Sequence, residues 1–225
     1  MATSPDLKTR LASRSAITFF VTAAMLFVPA WSFRYWQAWV FLALIFVPMV
    51  VSAFYFYKKD PQLVERRMQT AESVGEQQRI MKVAKLVFLA VFLIPGLDHH
   101  FGWSRVPLWL TIVAQVIVLV GYLITFWVFE TNSFAARTVR VEAEQKVISN
   151  GPYRFVRHPM YFGVVLLLPF TPMALGSYWA VPGFVLLIPL IILRLLNEEK
   201  ILREQLPGYA EYCLHTRQRL IPYVW

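Results

Sequence analysis

The chain has 225 residues, 58% of them hydrophobic, with a net charge of +9 and a mean hydropathy of +0.52. That is too apolar for an ordinary soluble domain. The excess of Lys and Arg reads as a basic rim facing anionic lipid, because no stretch interleaves basic and aromatic residues as a nucleic-acid groove does. A single cysteine, Cys213, rules out an internal disulfide, and no cysteine cluster suggests structural zinc.

Met1 to Arg14 is polar and carries Lys8, Arg10 and Arg14. An apolar run follows from Ser15 to Phe33. The pair has the outline of a secretory signal, but the run is long and a second apolar stretch, Trp36 to Tyr57, follows almost at once, so a retained transmembrane helix is expected. Arg34 lies in the tight link, with Trp31, Tyr35, Trp36 and Trp39 around it as an interfacial girdle. The basic segment Lys58 to Lys85 contains DPQLVERRM, which suits a short amphipathic helix lying in the interface with Leu63, Val64 and Met68 toward lipid.

A third span is expected from Val83 to Leu97, short unless its basic start is also helical. His99 and His100 then fall in a brief polar connection as solvated loop histidines. A fourth span runs from Pro107 to Phe129, with Pro107 in the first turn. Glu130 to Met160 is a long polar segment in which Arg137, Arg140 and Lys146 alternate with Glu142 and Glu144. Its TVRVEAEQKVIS stretch suits a short strand pair or an irregular cap. Tyr161 to Thr171 and Tyr178 to Leu196 form a hairpin around Pro172, Gly176 and Ser177, the first arm being short for a full crossing. Pro169 and Pro182 are expected kinks.

Lys and Arg concentrate at the N-terminus, in 58–85, in 130–160 and in the tail, whereas the links near Arg34, Arg105 and Gly176 are poor in charge. Six crossings, or five and a partial one, put every basic segment and both termini in the cytoplasm. The fold class is therefore all-α: a polytopic integral membrane helix bundle of five to six transmembrane helices. It is one membrane domain over 1–225, with N-terminal helices in 1–100, the remaining helices, long loop and tail in 101–225, and any chemistry at the cytoplasmic face. Its short outer loops and compact size point to a bacterial inner membrane.

Chemistry concentrates in two places. Gly151 to Tyr161, GPYRFVRHPMY, gathers Arg154, Arg157 and His158 at a membrane boundary, and Pro159 suits the first turn of the next helix. That holds Arg157 and His158 beside free backbone N–H groups, a place for a carboxylate or phosphate. The plainer alternative is a basic loop anchoring a helix. Further on, LIPLIILRLLNEEK puts Arg194 inside an apolar run, where lipid exposure is costly, and Glu198 is its partner one turn away. Either the two make a structural salt bridge or a carboxylate here holds hydroxyls or an amino group of a ligand. Pro207 and Gly208 then precede Tyr209, Tyr212 and Cys213. No base declares itself for the thiol.

Together, NGPYRFVRHPMYFG and the later RLLNEEKILREQLPGYAEYCLHTRQRLIPYVW resemble the isoprenylcysteine carboxyl methyltransferase family and the related phospholipid methyltransferases. The pattern comprises Arg157, His158, Pro159 and Tyr161; Glu198 and Glu199; Gly208, Tyr209 and Tyr212; and Arg219 and Pro222. The resemblance covers roughly the C-terminal half. It implies an integral membrane enzyme that takes S-adenosyl-L-methionine from the cytosol into a pocket built by that half. It implies that Arg157 and His158 meet the methionine carboxylate and that Glu198 or Glu199 takes the ribose or amino group. Val147 and Ile148 would flank adenine, with Gly151, Tyr153, Pro159, Tyr161, Tyr209 and Tyr212 completing the cofactor pocket. Asn132 and Arg194 would orient the acceptor beside Glu198. The acceptor would be lipophilic, an isoprenylcysteine-like carboxylate first and a phospholipid or other lipid amine second, entering from the membrane. A transporter is the alternative of a different class. It is disfavoured because the chain lacks inverted halves with matching broken helices.

Overall fold

The structure, a computed structural model, describes residues 5–69, 75–135, 141–142 and 144–225. All the regular structure among them is helical. Five helical segments are long and apolar enough to cross a membrane: Leu7–Ala30, Trp36–Lys59, Gln77–Phe101, Leu108–Thr131 and Val181–Gln205. The protein is an integral membrane helix bundle.

Helix α1 (Pro5–Ala30) begins well before Ser15, so Lys8, Arg10 and Arg14 are helical. After α2 (Trp36–Lys59), Asp60 caps α3 (Pro61–Met68): its Oδ1 accepts from the Leu63 N–H at 3.0 Å, and Pro61 stands where a missing N–H costs nothing. This immediate restart turns α3 against the ends of α1 and α5. Leu63, Val64 and Met68 therefore bury against Leu7, Phe56, Val128 and Ala135, correcting the expectation that they face lipid. The Arg14 guanidinium donates to the Met68 carbonyl and ties α1 to the same corner.

Helix α4 (Gly75–Phe101) takes in the basic start Arg79 to Lys85 and also His99 and His100. The two histidines are exposed but helical, and His99 stacks on Tyr35 with ring centroids 4.2 Å apart, so they are not loop residues. Helix α5 (Leu108–Thr131) follows Pro107. Beyond it, 141–142 and 144–150 run irregularly, with no strand among the described residues; 136–140 and 143, which include Arg137 and Arg140, lie outside them.

Helix α6 (Pro159–Ala174) has 16 residues, about 24 Å at 1.5 Å per residue and short of the ~30 Å hydrocarbon core. It packs along α5 through two glycines. A Cβ on Gly163 would stand 2.8 Å from the Gly121 carbonyl, and one on Gly121 would stand 3.0 Å from the Gly163 carbonyl. Small residues at a membrane helix crossing let backbones approach and dispersion contacts accumulate. The last crossing is broken into α7 (Val181–Val185) and α8 (Leu187–Gln205). Pro189 explains the break: it cannot bond the carbonyl four residues back, which is that of Val185. Pro182 starts α7 and does not kink it. Helix α9 (Tyr209–His215) follows Gly208, whose φ of 82° is the left-handed conformation that glycine adopts freely.

The charge-poor links meet at one end of the bundle. Asp98 accepts from the Ser104 N–H at 2.7 Å, from the Ser104 hydroxyl at 2.6 Å and from the Ser177 hydroxyl, while Tyr35 donates to the carbonyls of Leu175 and Pro95. Exposed Trp31, Trp36, Trp39, Trp103, Trp109 and Trp179 ring this end, as an interfacial belt does. The polar segments gather at the other end.

Candidate functional site

At that polar end the loop before α6, the end of α8 and the tail close on one cavity. The tail comes back alongside the motif: the Arg157 N–H donates to the Gln218 carbonyl and the His158 N–H to the Arg219 carbonyl, both at 2.9 Å. Pro159 has no N–H and begins α6, so these two bonds fix the strand-like approach of Arg157 and His158. Gly151, with φ of 56°, turns the chain into a 3-10 turn (Gly151–Arg154) against Thr131 and does not line the cavity. From that turn the Tyr153 carbonyl accepts the Tyr212 hydroxyl at 2.6 Å, docking α9 on the loop.

The cavity encloses about 270 Å³. It brings together the expected Asn132, Val147, Ile148, Tyr153, Arg157, His158, Pro159, Tyr161, Arg194, Glu198, Tyr209 and Tyr212. Two polar networks shape its wall. In one, the Tyr161 hydroxyl donates to Glu198 Oε2 at 2.6 Å and accepts from Arg194 Nε at 3.0 Å. Arg194 Nη1 donates to Gln77 Oε1 at 3.0 Å, and Gln77 Nε2 donates to the Arg194 carbonyl at 3.2 Å. Arg194 thus turns inward to protein partners, as its cost in lipid requires.

The second network lies behind the wall. Glu199, 3% exposed, is outside the cavity lining and serves as a hub. Its Oε1 pairs with Arg157 Nη2 at 2.8 Å and Arg203 Nη2 at 3.2 Å, and its Oε2 with Arg219 Nε at 2.7 Å. Adjacent helical residues point about 100° apart, so Glu198 and Glu199 cannot both face one pocket. The geometry separates them: Glu198 looks into the cavity and Glu199 ties α8 to the motif and the tail. Asn132 is also engaged, donating through Nδ2 to the Tyr153 hydroxyl at 2.8 Å and accepting the Phe134 N–H at 2.9 Å.

Three buried polar atoms of lining residues have no hydrogen-bond partner among the described residues: His158 Nε2, Tyr209 OH and Arg157 Nε. A buried polar atom without a partner costs about 1–3 kcal/mol, so such a cluster on a cavity is suited to a polar ligand. Burial lowers the His158 pKa to about 4, outweighing the Glu199 carboxylate, which pulls the other way; the imidazole is neutral at pH 7. Burial, then Glu199, pushes the Tyr209 pKa up, so its phenol stays a protonated donor. Burial also raises the Cys213 pKa; its Sγ lies 3.9 Å from Glu199 Oε1, and it stays a thiol.

The motifs did not point to Arg67, Met81, Val164 or Ile191, which also line the cavity. Arg67 and Met81 come from the first hundred residues. Only their helical periodicity was visible, and that says nothing of what lies across the bundle.

Residues 109–207 match the family described as phospholipid methyltransferase. This covers Asn132 to Glu199 but not Arg67, Tyr209, Tyr212 or Arg219. No curated protein matches the chain. Among solved structures, the chain is similar to the eukaryotic intramembrane Ras methyltransferase, isoprenylcysteine carboxyl methyltransferase. The identity is 14%, over 95% of this chain and 86% of that one, with a TM-score of 0.48. The membrane-spanning helices define an integral membrane helix bundle, and the family match makes its stretch 109–207 similar to the phospholipid methyltransferases. The family that matches is one of the two that the motifs resemble.

Proposed function

We propose that the protein transfers a methyl group from S-adenosyl-L-methionine to a lipophilic acceptor, with carboxyl O-methylation of an isoprenylcysteine-like substrate as the first reading. The observation that carries this is the convergence of His158 Nε2 and Tyr209 OH, buried and unpaired, with Glu198 on one cavity between motif and tail. The donor set fits the cofactor. Its methionine carboxylate needs donors, which His158 and the first N–H groups of α6 supply. Its ammonium and ribose hydroxyls need an acceptor, which is Glu198. Tyr153, Tyr209 and Tyr212 offer flat apolar faces for adenine beside Val147 and Ile148. At about 270 Å³ the cavity is near the lower edge of ligand pockets, roughly 300–1,000 Å³.

S-adenosyl-L-methionine supplies a methyl group activated on a sulfonium. The residues then have to hold cofactor and acceptor in line and exclude water. A carboxylate acceptor brings its own nucleophilic pair and needs no base. Glu198 is the only Asp or Glu in the cavity lining among the described residues, so assigning it to the cofactor leaves no second carboxylate for deprotonation. That favours the carboxylate acceptor. The second reading, N-methylation of a phospholipid or other lipid amine, has the description of the matching family behind it. There His158, neutral with Nε2 unpaired, would take the ammonium proton. The positive-inside pattern sets the cavity and both termini at the cytoplasmic face of what we read as a bacterial inner membrane.

The test is transfer of labelled methyl from S-adenosyl-L-methionine to N-acetyl-S-farnesylcysteine and to phosphatidylethanolamine vesicles. A methyl ester is split by alkali and releases methanol, whereas an N-methyl group is stable. Alkali-labile label supports the first reading, stable label the second, and no label in either contradicts both.

A further inference from the structure

Helix α1 is the least enclosed of the five crossing segments, with 11% of its apolar stretch buried against at least 22% for the others. It is pinned at two levels. At the polar end Leu7 shares a core cluster with Phe56 and Leu63, and Arg14 donates to the Met68 carbonyl. Farther along, Phe19 meets Phe46 of α2 edge-on, with ring centroids 5.1 Å apart. Between these pins the walls are Ala12, Ser15 and Ala16 of α1 and Val50 and Ala53 of α2. Small residues ordinarily let membrane helices close on each other. Here the two pins hold the helices apart, and the small side chains leave a groove of about 390 Å³.

The dimensions and charge of the groove point to its occupant. Lys8, which is exposed, stands with Tyr57 at its polar end, and the lining between Lys8 and Phe20 is otherwise almost wholly apolar. No Asp or Glu lines it among the described residues. Lys8 and Phe20 are twelve residues apart on α1, about 18 Å at 1.5 Å per residue. One leaflet of a ~30 Å hydrocarbon core is about 15 Å deep. The groove thus runs the depth of one leaflet from a basic mouth. Its volume over that length gives a mean cross-section of about 22 Å², or about 5 Å across. A helix, about 10 Å wide, does not enter such a slot, whereas a polymethylene chain does. Left empty, both walls would forfeit their dispersion contacts.

We propose that this groove binds one anionic phospholipid of the leaflet at the polar end. One acyl chain lies between α1 and α2, and the phosphodiester pairs with Lys8. An ammonium holds a phosphate as a point charge, and one Lys near an anionic lipid headgroup adds roughly a factor of five in affinity. The groove shares no lining residue with the cavity described above, so the inference stands apart from the methyltransferase reading.

The experiment is native mass spectrometry of the protein in mild detergent, titrated with phosphatidylglycerol or with phosphatidylcholine of the same acyl chains. It is run on the unaltered protein, Lys8→Gln, Ala16→Phe and Lys200→Gln, the last being an exposed lysine on α8. The unaltered protein holds one phosphatidylglycerol about fivefold more tightly than phosphatidylcholine. Lys8→Gln removes that preference and leaves phosphatidylcholine within about twofold, while Lys200→Gln keeps it. Ala16→Phe fills the groove and weakens the first phosphatidylglycerol at least about tenfold. Melting temperatures in the same detergent check folding. Should Ala16→Phe not fold, Lys8→Gln against Lys200→Gln decides, because both side chains are exposed. Equal affinity for the two lipids overturns the inference, as does a preference that survives Lys8→Gln or that Lys200→Gln removes as fully. A folded Ala16→Phe that keeps its lipid also overturns it. So does a dimer that Ala16→Phe breaks, which would give the groove to a second copy of this chain.

Discussion

Replacing Glu199 by Gln tests the division of labour between the two adjacent glutamates. Glu199 accepts from Arg157, Arg203 and Arg219. The pair with Arg157 is buried, with side chains 5% and 4% exposed. Removing the charge leaves a buried guanidinium beside a neutral amide, and breaking such a pair costs about 3–5 kcal/mol. Arg203 and Arg219 have side chains 43% and 35% exposed, so each regains water and adds no more than about 1 kcal/mol. A total near 4 kcal/mol corresponds to a fall in apparent melting temperature of roughly 10 °C for a chain of this size. The assay is thermal denaturation in mild detergent, with cofactor affinity measured far below the transition. Glu198→Gln is the control, because the Tyr161 hydroxyl at 2.6 Å can still donate to the amide oxygen. It should shift the melt by only a few degrees yet weaken S-adenosyl-L-methionine at least tenfold, having lost a charged acceptor. If Glu199→Gln melts with the unaltered protein and loses the cofactor instead, the hub assignment is wrong.

Other substitutions probe separate links. His158 has a folded-state pKa of about 4 against an ordinary 6.5, so between these values the unfolded chain binds the proton that the folded one does not. Stability from this group is full above pH 6.5 and falls with pH toward 4, by about 3 kcal/mol in all; His158→Gln should flatten the drop in melting temperature between pH 7 and pH 5. An unchanged slope would show that His158 is not buried neutral. Under the carboxylate reading the same variant weakens the cofactor, whereas under the amine reading it lowers turnover at saturating cofactor. Gly163→Leu forces a side chain against the Gly121 carbonyl and should cost about 1–3 kcal/mol or more; full stability would mean that α5 and α6 are not in close contact. Cys213→Ser should keep turnover within about twofold, since the thiol is protonated and lies outside the cavity lining. A large loss would give it a part in the chemistry.

The helices were legible because lipid demands long apolar runs, and the polar end was legible because Lys and Arg mark one side of the bundle. Most of the motif residues from Val147 to Tyr212 line one cavity, because spacing and residue type both place them, but Gly151 and Glu199 lie outside its lining. What was hidden depended on distant partners. The basic face of α3 looks like a lipid-facing surface until α1 and α5 are seen to cover its apolar side, and so Arg67 went unnoticed. Glu198 and Glu199 are indistinguishable in a linear string; only the positions of Arg157, Arg203 and Arg219 decide which one faces the cavity. The break at Leu186 was readable from Pro189, although Pro182 drew attention first. His99 was misjudged because nothing local announces the Tyr35 ring on which it stacks.

The most direct test of the account is calorimetric titration of S-adenosyl-L-methionine and S-adenosylhomocysteine into the protein in mild detergent, alongside His158→Gln and Glu198→Gln. The account predicts one site with dissociation constants on the order of micromolar for both ligands, weakened at least tenfold in each variant. Folded, monodisperse protein that binds neither ligand, or variants that bind both unchanged, would contradict it.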